Sequence, residues 1–565
     1  MNTRAVTSLL IFVYFLQADL LFASKPFIVV IDSDMATKSK MLREAFAAFD
    51  CAEEMHDVQR QALDSEEFYE INNPDDFVTR TGLVYAMGDA GSLHKARFWT
   101  ASGPEVYKEF VQFLIRIRGT GVTVEGETHQ KRISVSPQES EVASDKKTVS
   151  VKTRHADVYI DYRDGVIFLS ESPEVFRFTV SEKFKSAISL GAGKDWFLWA
   201  DPTEVPQELR LSLLKTIEHH AGFALQQRNG ELKSAYAGRR LIADVYFRSI
   251  RSLFLEVTEV TSWLSYPSEG QPFKFHLRVN TSETSATGKL LQEFPSSSKL
   301  DWLNDETRIA NIRLCFRIPE ELKPLCSALV SEIPLENNFL KALLNSHITE
   351  GQFDVLGMVG ADDTDRLVLN GVSRSGSGIS FVDRVPDSAR EVDGEYTQIP
   401  MPAVQAFLPL TEPHFLWLRQ TRELIEVSLR AANGDPSFPF GQLKQAGLNR
   451  IPAVDIEFDL SKVREFNDSD AVHQVFTELE RACHLQTALA SFPEPIRNRY
   501  HNQMAKQFRP LLNKVRSGGD WKCTLRTTID ASGIAMSVSA GLDAFQFAAC
   551  RKYLGEAAFL NAVSP

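Results

Sequence analysis

Cysteine is scarce in this chain: six in 565 residues, with no two at the Cys-x-x-Cys spacing of zinc sites and dithiol exchange. That excludes a small disulfide-stapled scaffold. It leaves Cys51, Cys315, Cys326, Cys483, Cys523 and Cys550 open as buried thiols or as isolated bridges. The glycine loops that cradle phosphates or dinucleotides are missing too. No Gly-x-Ser-x-Gly elbow frames Ser373, Ser375 or Ser377, and that stretch reads as a turn. Basic charge is in deficit, with 62 Lys and Arg against 74 Asp and Glu, for a net charge of -12. This argues against nucleic acid and anionic membranes as partners, since both attract basic surfaces. Past the N-terminus, no apolar run approaches the roughly 20 residues of a membrane helix.

What is present is a folded protein that begins with an export signal. Hydrophobic residues make up 43% and charged residues 24%, the proportions of an ordinary globular chain. The length predicts two or more domains. Arg4, the apolar run Ala5 to Leu16, and the small residues Ala23 and Ser24 form the three parts of a secretory signal peptide over residues 1–24. Gln17 and Asp19 cut the run short of a membrane anchor. The first cysteine, Cys51, is too distant for a lipid-anchored start. The expectation is an exported protein, periplasmic or extracellular, whose mature chain starts near Ser24 or Lys25 and spans no membrane.

Sliding the chain against itself by roughly 210–220 residues reveals a repeat. Pro104-Glu105 falls on Pro319-Glu320, and Gly165-Val166-Ile167-Phe168-Leu169 on Gly378-Ile379-Ser380-Phe381-Val382. Phe197-Leu198-Trp199 falls on Phe415-Leu416-Trp417, and Ala243 to Phe247 on Val454 to Phe458. Asp164-Gly165 is a hairpin turn signal, because both positions tolerate positive φ. Ser172-Pro173 and Gly103-Pro104 read as helix starts. In Phe273 to Asn280, apolar and polar residues alternate, as in a strand with one face in the core. The predicted fold is α+β: two tandem, internally duplicated domains of mainly antiparallel sheet, with helices packed on one face. The domains are predicted at residues 25–300 and 301–565, related by a pseudo-two-fold. The second carries a helical insertion near 470–514, striped by Val472, Val475, Phe476, Leu479 and Ala482. Ser136 to Lys147 reads as an exposed loop.

The segment from Tyr162-Arg163-Asp164-Gly165 through Glu171-Ser172-Pro173-Glu174 weakly resembles secreted bacterial proteins of unknown function built from duplicated sheet-and-helix units. These residues cover a small part of the chain and are structural signals. The resemblance implies the layout and no activity.

The sharpest chemical candidate is the apolar run Phe27 to Ile31, followed by Asp32-Ser33-Asp34. It resembles the nucleophile loop of haloacid-dehalogenase-type phosphatases, in which one carboxylate attacks phosphorus and the other handles the proton. It also resembles the metal-binding start of nucleoside hydrolases. Thr37 sits one residue too late for the first pattern, and Lys38-Ser39 replaces the acidic pair of the second. The competing reading is that Ser33 or Asp34 caps a helix whose apolar face is Met41, Leu42, Ala45, Phe46 and Phe49. Glu218-His219-His220 falls on a helix opened by Pro206, but adjacent histidines point about 100° apart and do not share a metal readily. No cofactor or metal is therefore expected. The preferred reading is a non-catalytic binding or structural protein of the envelope, facing an unknown protein or an apolar small-molecule ligand. The alternative is a secreted, metal-assisted phosphoesterase centred on Asp32 and Asp34.

Overall fold

A computed structural model describes residues 25–33, 80–87, 93–101, 103–118, 122–126, 129–135, 138–144, 147–153, 157–224, 255–268, 270–296, 300, 310–332, 338–361, 367–374, 390–392, 396–400, 414–420, 424–431, 452–459 and 519–549, with isolated helical positions between 236 and 252 and at 495 and 499. The signal segment and most of the predicted 470–514 insertion lie outside the described residues. The chain divides into two compact units. The first comprises Met1–Lys38, Phe68–Ala224 and Ile250–Ser265; the second comprises Ser39–Glu67, Leu225–Ser249 and Tyr266–Pro565. Both are mainly antiparallel sheet with helices, an α+β construction.

The first unit runs β1 (Lys25–Ser33), β2 (Arg80–Met87), β3 (Leu93–Thr100), α1 (Pro104–Arg118), β4 (Val122–Glu125), β5 (Gln130–Val135), β6 (Gln138–Ser144), β7 (Lys147–Thr153), β8 (Val158–Arg163), β9 (Val166–Ser170), α2 (Glu182–Gly191), β10 (Trp196–Ala200), α3 (Gln207–Ala224) and β11 (Val257–Ser265). Antiparallel pairing orders the sheet β11-β10-β1-β2-β3-β9-β8-β5-β4.

A single register row crosses most of this sheet: Trp263, Phe197, Ile31, Gly82, Phe98, Phe168 and Asp161 stand opposite one another on successive strands. Residues directly opposite share a face, so the row is one stripe of core. The 3₁₀ turn Pro173–Arg177 and α2 close over it with Val175, Phe178, Phe184 and Ala187. Gly82 is glycine because of this packing: a Cβ there would lie 2.2 Å from the Phe98 ring. The opposite face presents Trp99, Ile167, Ile160 and Ile133, and α1 covers them with Tyr107, Phe110, Val111 and Leu114.

Helices thus pack on both faces of this sheet, which corrects the expectation of one. The reason is visible in β9. Val166-Ile167-Phe168-Leu169 is apolar at every position and buried throughout, so each face needs a cover. The turn before it matches the expectation, with Asp164 at φ 50 and Gly165 at φ 79, both positive as a type I′ hairpin requires. Ser172 caps the next turn, accepting from the Glu174 amide at 3.3 Å with Pro173 at the first position; the turn is 3₁₀ rather than α. Ser136 to Lys147 departs from the loop reading. Gln138–Ser144 is strand β6, paired with β7.

The second unit runs β12 (Phe273–Thr281), α4 (Ala286–Glu293), β13 (Ala310–Arg317), α5 (Lys323–Glu332), α6 (Asn338–Glu350), β14 (Gln352–Ala361), β15 (Leu367–Arg374), β16 (Arg390–Val392), β17 (Tyr396–Pro400), β18 (His414–Gln420), β19 (Leu424–Ala431), β20 (Val454–Asp459), β21 (Lys522–Asp530) and β22 (Gly533–Ala540). Its order is β12-β22-β21-β20-β13-β14-β15-β19-β18-β17-β16, antiparallel throughout. α5 and α6 lie on one face, where Val330 and Ile348 join Phe316 and Phe353.

The repeat anchors fare differently. β3 leads into α1 at Pro104, whereas β13 leads through Pro319 into a 3₁₀ turn before α5 begins at Lys323. Phe197-Leu198-Trp199 and Phe415-Leu416-Trp417 both lie in strands. The first strand sits between β1 and β11, the second between β17 and β19. Ala243 and Phe247 are helical, whereas Val454 to Phe458 is strand β20. The segment Gly378 to Val382 lies outside the described residues.

Candidate functional site: the buried polar groups

Three buried clusters of chemistry-bearing side chains stand out among the described residues. In the first unit, Asp161 on β8 is 1% exposed. Arg163, two residues along the same face, donates to it at 2.8 Å and also to the carbonyl oxygens of Phe176 at 2.8 Å and Phe178 at 2.5 Å. One guanidinium therefore ties the 3₁₀ turn to the sheet and neutralises the carboxylate beneath it. Burial raises the Asp161 pKa, against the opposing pull of Arg163, Gln130 and His129. On the other face Tyr107 stacks on Tyr162 at 5.4 Å. Its phenol is pushed up to about 12 by burial and then by the Asp161 charge.

The second cluster is centred on Asp201, 2% exposed, directly after β10. Its carboxylate accepts from the Thr203 amide at 3.0 Å, from the Thr203 hydroxyl and from Lys183 Nζ of α2 at 2.5 Å, while its own amide donates to Phe27 O of β1 at 2.7 Å. Those contacts raise the Lys183 pKa, with the Asp201 hydrogen bond the largest cause. Asp201-Pro202 repeats the cap-then-proline signal of Ser172-Pro173, and that resemblance was the cue by which the sequence could have disclosed it.

The third cluster lies in the second unit. His347 of α6 meets Ser373 of β15, Nε2 to Oγ at 2.7 Å. That is the spacing of a nucleophile and its base. His347 is 3% exposed and Ser373 6%, sealed between helix and sheet. The imidazole packs against Phe353 with ring centroids 5.0 Å apart. Among the described residues no carboxylate hydrogen-bonds its other nitrogen to complete a triad. On the opposite face of the same sheet, Ser428 donates to Asn370 Oδ1 at 2.6 Å, and Glu426 pairs with Arg419.

Burial lowers the His347 pKa, with Glu350, the Gln352 backbone and Asp354 opposing. The neutral ring is therefore the native form. A group depressed on folding contributes stability that is fully present above its unfolded pKa of about 6.5 and is lost as pH falls below it. Wild-type protein is accordingly expected to lose melting temperature between pH 7 and pH 5 more steeply than His347→Gln, which keeps a partner for Ser373 but does not titrate. Equal slopes would show that the ring is not buried neutral.

The residues singled out from sequence do not converge. Asp32 is paired within β1, opposite Thr81 of β2 and Trp196 of β10. Asp34 and the helix it was expected to cap lie outside the described residues. Glu218 and His219 are exposed positions on α3, and among the described residues no group of three metal-ligating side chains gathers anywhere. Cys315, Cys326 and Cys523 form no disulfide. Cys315 and Cys326 are kept apart by strand alternation: Phe316 joins the α5 face that carries Cys326, so Cys315 points away from it. Burial, with the nearby Asp354 charge, pushes the Cys315 thiol up to about 11, and burial with Asp520 and Asp459 does the same for Cys523. Neither is a thiolate near neutral pH. No helix among the described residues is long and apolar enough to cross a membrane. Comparison with protein-family models, with curated proteins and with solved structures finds no match.

Proposed function

We propose that this chain is an exported, non-catalytic binding or structural protein whose antiparallel sheets serve an unknown protein partner or an apolar small-molecule ligand. One observation carries the reading: among the described residues, three buried pairs that could do acid–base or nucleophilic chemistry fasten elements to one another. Arg163 and Asp161 join a 3₁₀ turn to β8, Lys183 and Asp201 join α2 to β10, and His347 with Ser373 joins α6 to β15. A nucleophile has to meet substrate, and Ser373 at 6% exposure is closed to it. The tandem relation between the units rests on the strand-then-Pro-Glu sequence that both contain. The export assignment rests on Arg4, the Ala5 to Leu16 run and the small residues that follow.

The test is turnover. Mature protein is incubated with a panel of p-nitrophenyl esters and phosphates, with and without magnesium or calcium. The expected outcome is no hydrolysis that Ser373→Ala or Asp32→Asn removes. Turnover abolished by Asp32→Asn and dependent on a divalent cation would overturn the reading in favour of the phosphoesterase.

A further inference from the structure

In the second unit, α6 passes into β14 through a single residue, Gly351, at φ 71. The Gly351 amide donates to the carbonyls of His347 at 2.9 Å and Ile348 at 3.1 Å, and its own carbonyl accepts from the Ile318 amide at 2.8 Å. A Cβ there would lie 2.7 Å from Lys323 Cε, so close approach and positive φ both require glycine. Lys323, the first residue of α5, donates to Thr349 O at 3.1 Å and ties the two helices to each other. Against the sheet, Leu344 and Ile348 of α6 and Cys326 and Val330 of α5 pack on Phe316 and Phe353. A side-chain hydrogen bond, His347 to Ser373, fastens α6 to β15.

That fastener changes character with one proton. A neutral imidazole has one donor and one acceptor nitrogen. Nε2 is matched by Ser373 Oγ, while the buried Nδ1 has no hydrogen-bond partner. Protonation makes both nitrogens donors, which leaves a charged Nδ1–H unanswered in the interface. The described groups around the ring do not compensate it. Glu350 on α6, the Gln352 backbone and Asp354 of β14 favour the charge, yet burial outweighs them. Asp354 follows Phe353 in its strand and so projects from the opposite face, as Arg374 does after Ser373. On α5, Cys326 is a thiol whose pKa burial raises, and Lys323 is a cation engaged with Glu320 and Thr349. The Phe353 ring lies against the imidazole. The strands beneath have independent support: β14 pairs with β13 and β15, and its other face packs Leu356 with Leu300 and Val372.

We propose that His347 is an acid-operated latch: on taking up a proton it releases α6 from β15, with Gly351 as the pivot, while the strands beneath stay paired. The opening is local because the unpaired charge falls on the helix–sheet interface and not on the ladders. It lays bare the aromatic pair Phe316 and Phe353, stacked at 5.1 Å. A helix of 13 residues freed from its sheet is marginal in water, so its amides exchange once it is released.

Hydrogen exchange of the full-length chain, corrected for the intrinsic effect of pH on the rate, tests it. A ring held neutral in the closed helix regains its ordinary pKa of about 6.5 on release, so falling pH favours the open form, by at most about 30-fold at pH 5. The amides of α6 are expected to open about 10–30-fold more at pH 5.0 than at pH 7.5, with those of β14 and β15 unchanged. His347→Gln keeps a partner for Ser373 without titrating and is expected to open equally at both. The wild type also answers alone, since between pH 6.5 and pH 5 its opening should rise with uptake of a single proton. Four results would each overturn the proposal: wild-type α6 amides unmoved by pH, a rise shared equally by β14 and β15, the same rise in His347→Gln, or a rise confined to pH below about 4.5, where carboxylates titrate.

Discussion

Replacing Arg163 with methionine is expected to cost about 3–5 kcal/mol near neutral pH, because it leaves the Asp161 carboxylate buried without its cation. Asp161 has a side chain only 2% exposed, and Arg163 alone ties it to the carbonyls of Phe176 and Phe178. The loss should also depend on pH in a defined direction. Burial already raises the Asp161 pKa, and removal of Arg163, which lowers it, raises it further. An acid whose folded pKa lies above its unfolded value of about 3.9 loses native stability as pH rises through that interval. The deficit of Arg163→Met relative to wild type should thus be largest near pH 7 and shrink towards pH 3, where the carboxyl is protonated in both proteins. Denaturant unfolding at a series of pH values measures it. A deficit independent of pH would place the cost in lost packing of the guanidinium stem instead.

Phe168→Ala is the second large effect, at about 3–5 kcal/mol. The ring is fully buried in the register row between Phe98 and Asp161, edge-on to Phe178 at 5.7 Å and stacked on Phe184 at 5.9 Å. Phe184 in turn meets Phe98 at 5.6 Å. Truncation therefore opens a cavity under both the 3₁₀ turn and α2 and removes two aromatic contacts together. Calorimetry of the isolated variant should show a fall of roughly 6–20 °C for the transition of the first unit, at about 2–4 °C per kcal/mol. A loss near 1 kcal/mol would mean that α2 collapses into the space. The double variant Phe168→Ala, Phe184→Ala should lose less than the sum of the single changes, since they share partners.

Local signals in the sequence carried well into the structure. Asp164-Gly165 forms the turn it spells, Ser172 caps, and Pro104 opens α1, because each acts over a few residues with no help from the rest of the chain. Features that depend on distant partners were not legible. His347 and Ser373 are unremarkable letters until α6 lies on β15. Asp161 looks like a surface residue of a polar hairpin until the turn carrying Phe176 and Phe178 folds over it. Gln138 to Ser144 reads as a loop because Glu139, Ser140 and Glu141 are polar, and it is the register with β7 that makes it a strand. Ala243 to Phe247 looked equivalent to a strand from its aromatic and β-branched residues, yet Ala243 and Phe247 are helical. The cover on both sheet faces was legible in principle, since β9 has no polar position among Val166 to Leu169.

The central claim is that the buried polar pairs hold the fold together and do no chemistry. It is tested most directly by the melting temperature of Ser373→Ala, compared with wild type at pH 7.5. A fastener leaves His347 without its partner in the interior, at a cost of about 1–3 kcal/mol, and the expected result is a melting temperature several degrees lower with no activity lost. A strained catalytic pair behaves in the opposite way, and its removal leaves stability level or raises it while turnover disappears. A Ser373→Ala protein that melts at or above the wild-type temperature and has lost a hydrolytic activity would contradict the claim.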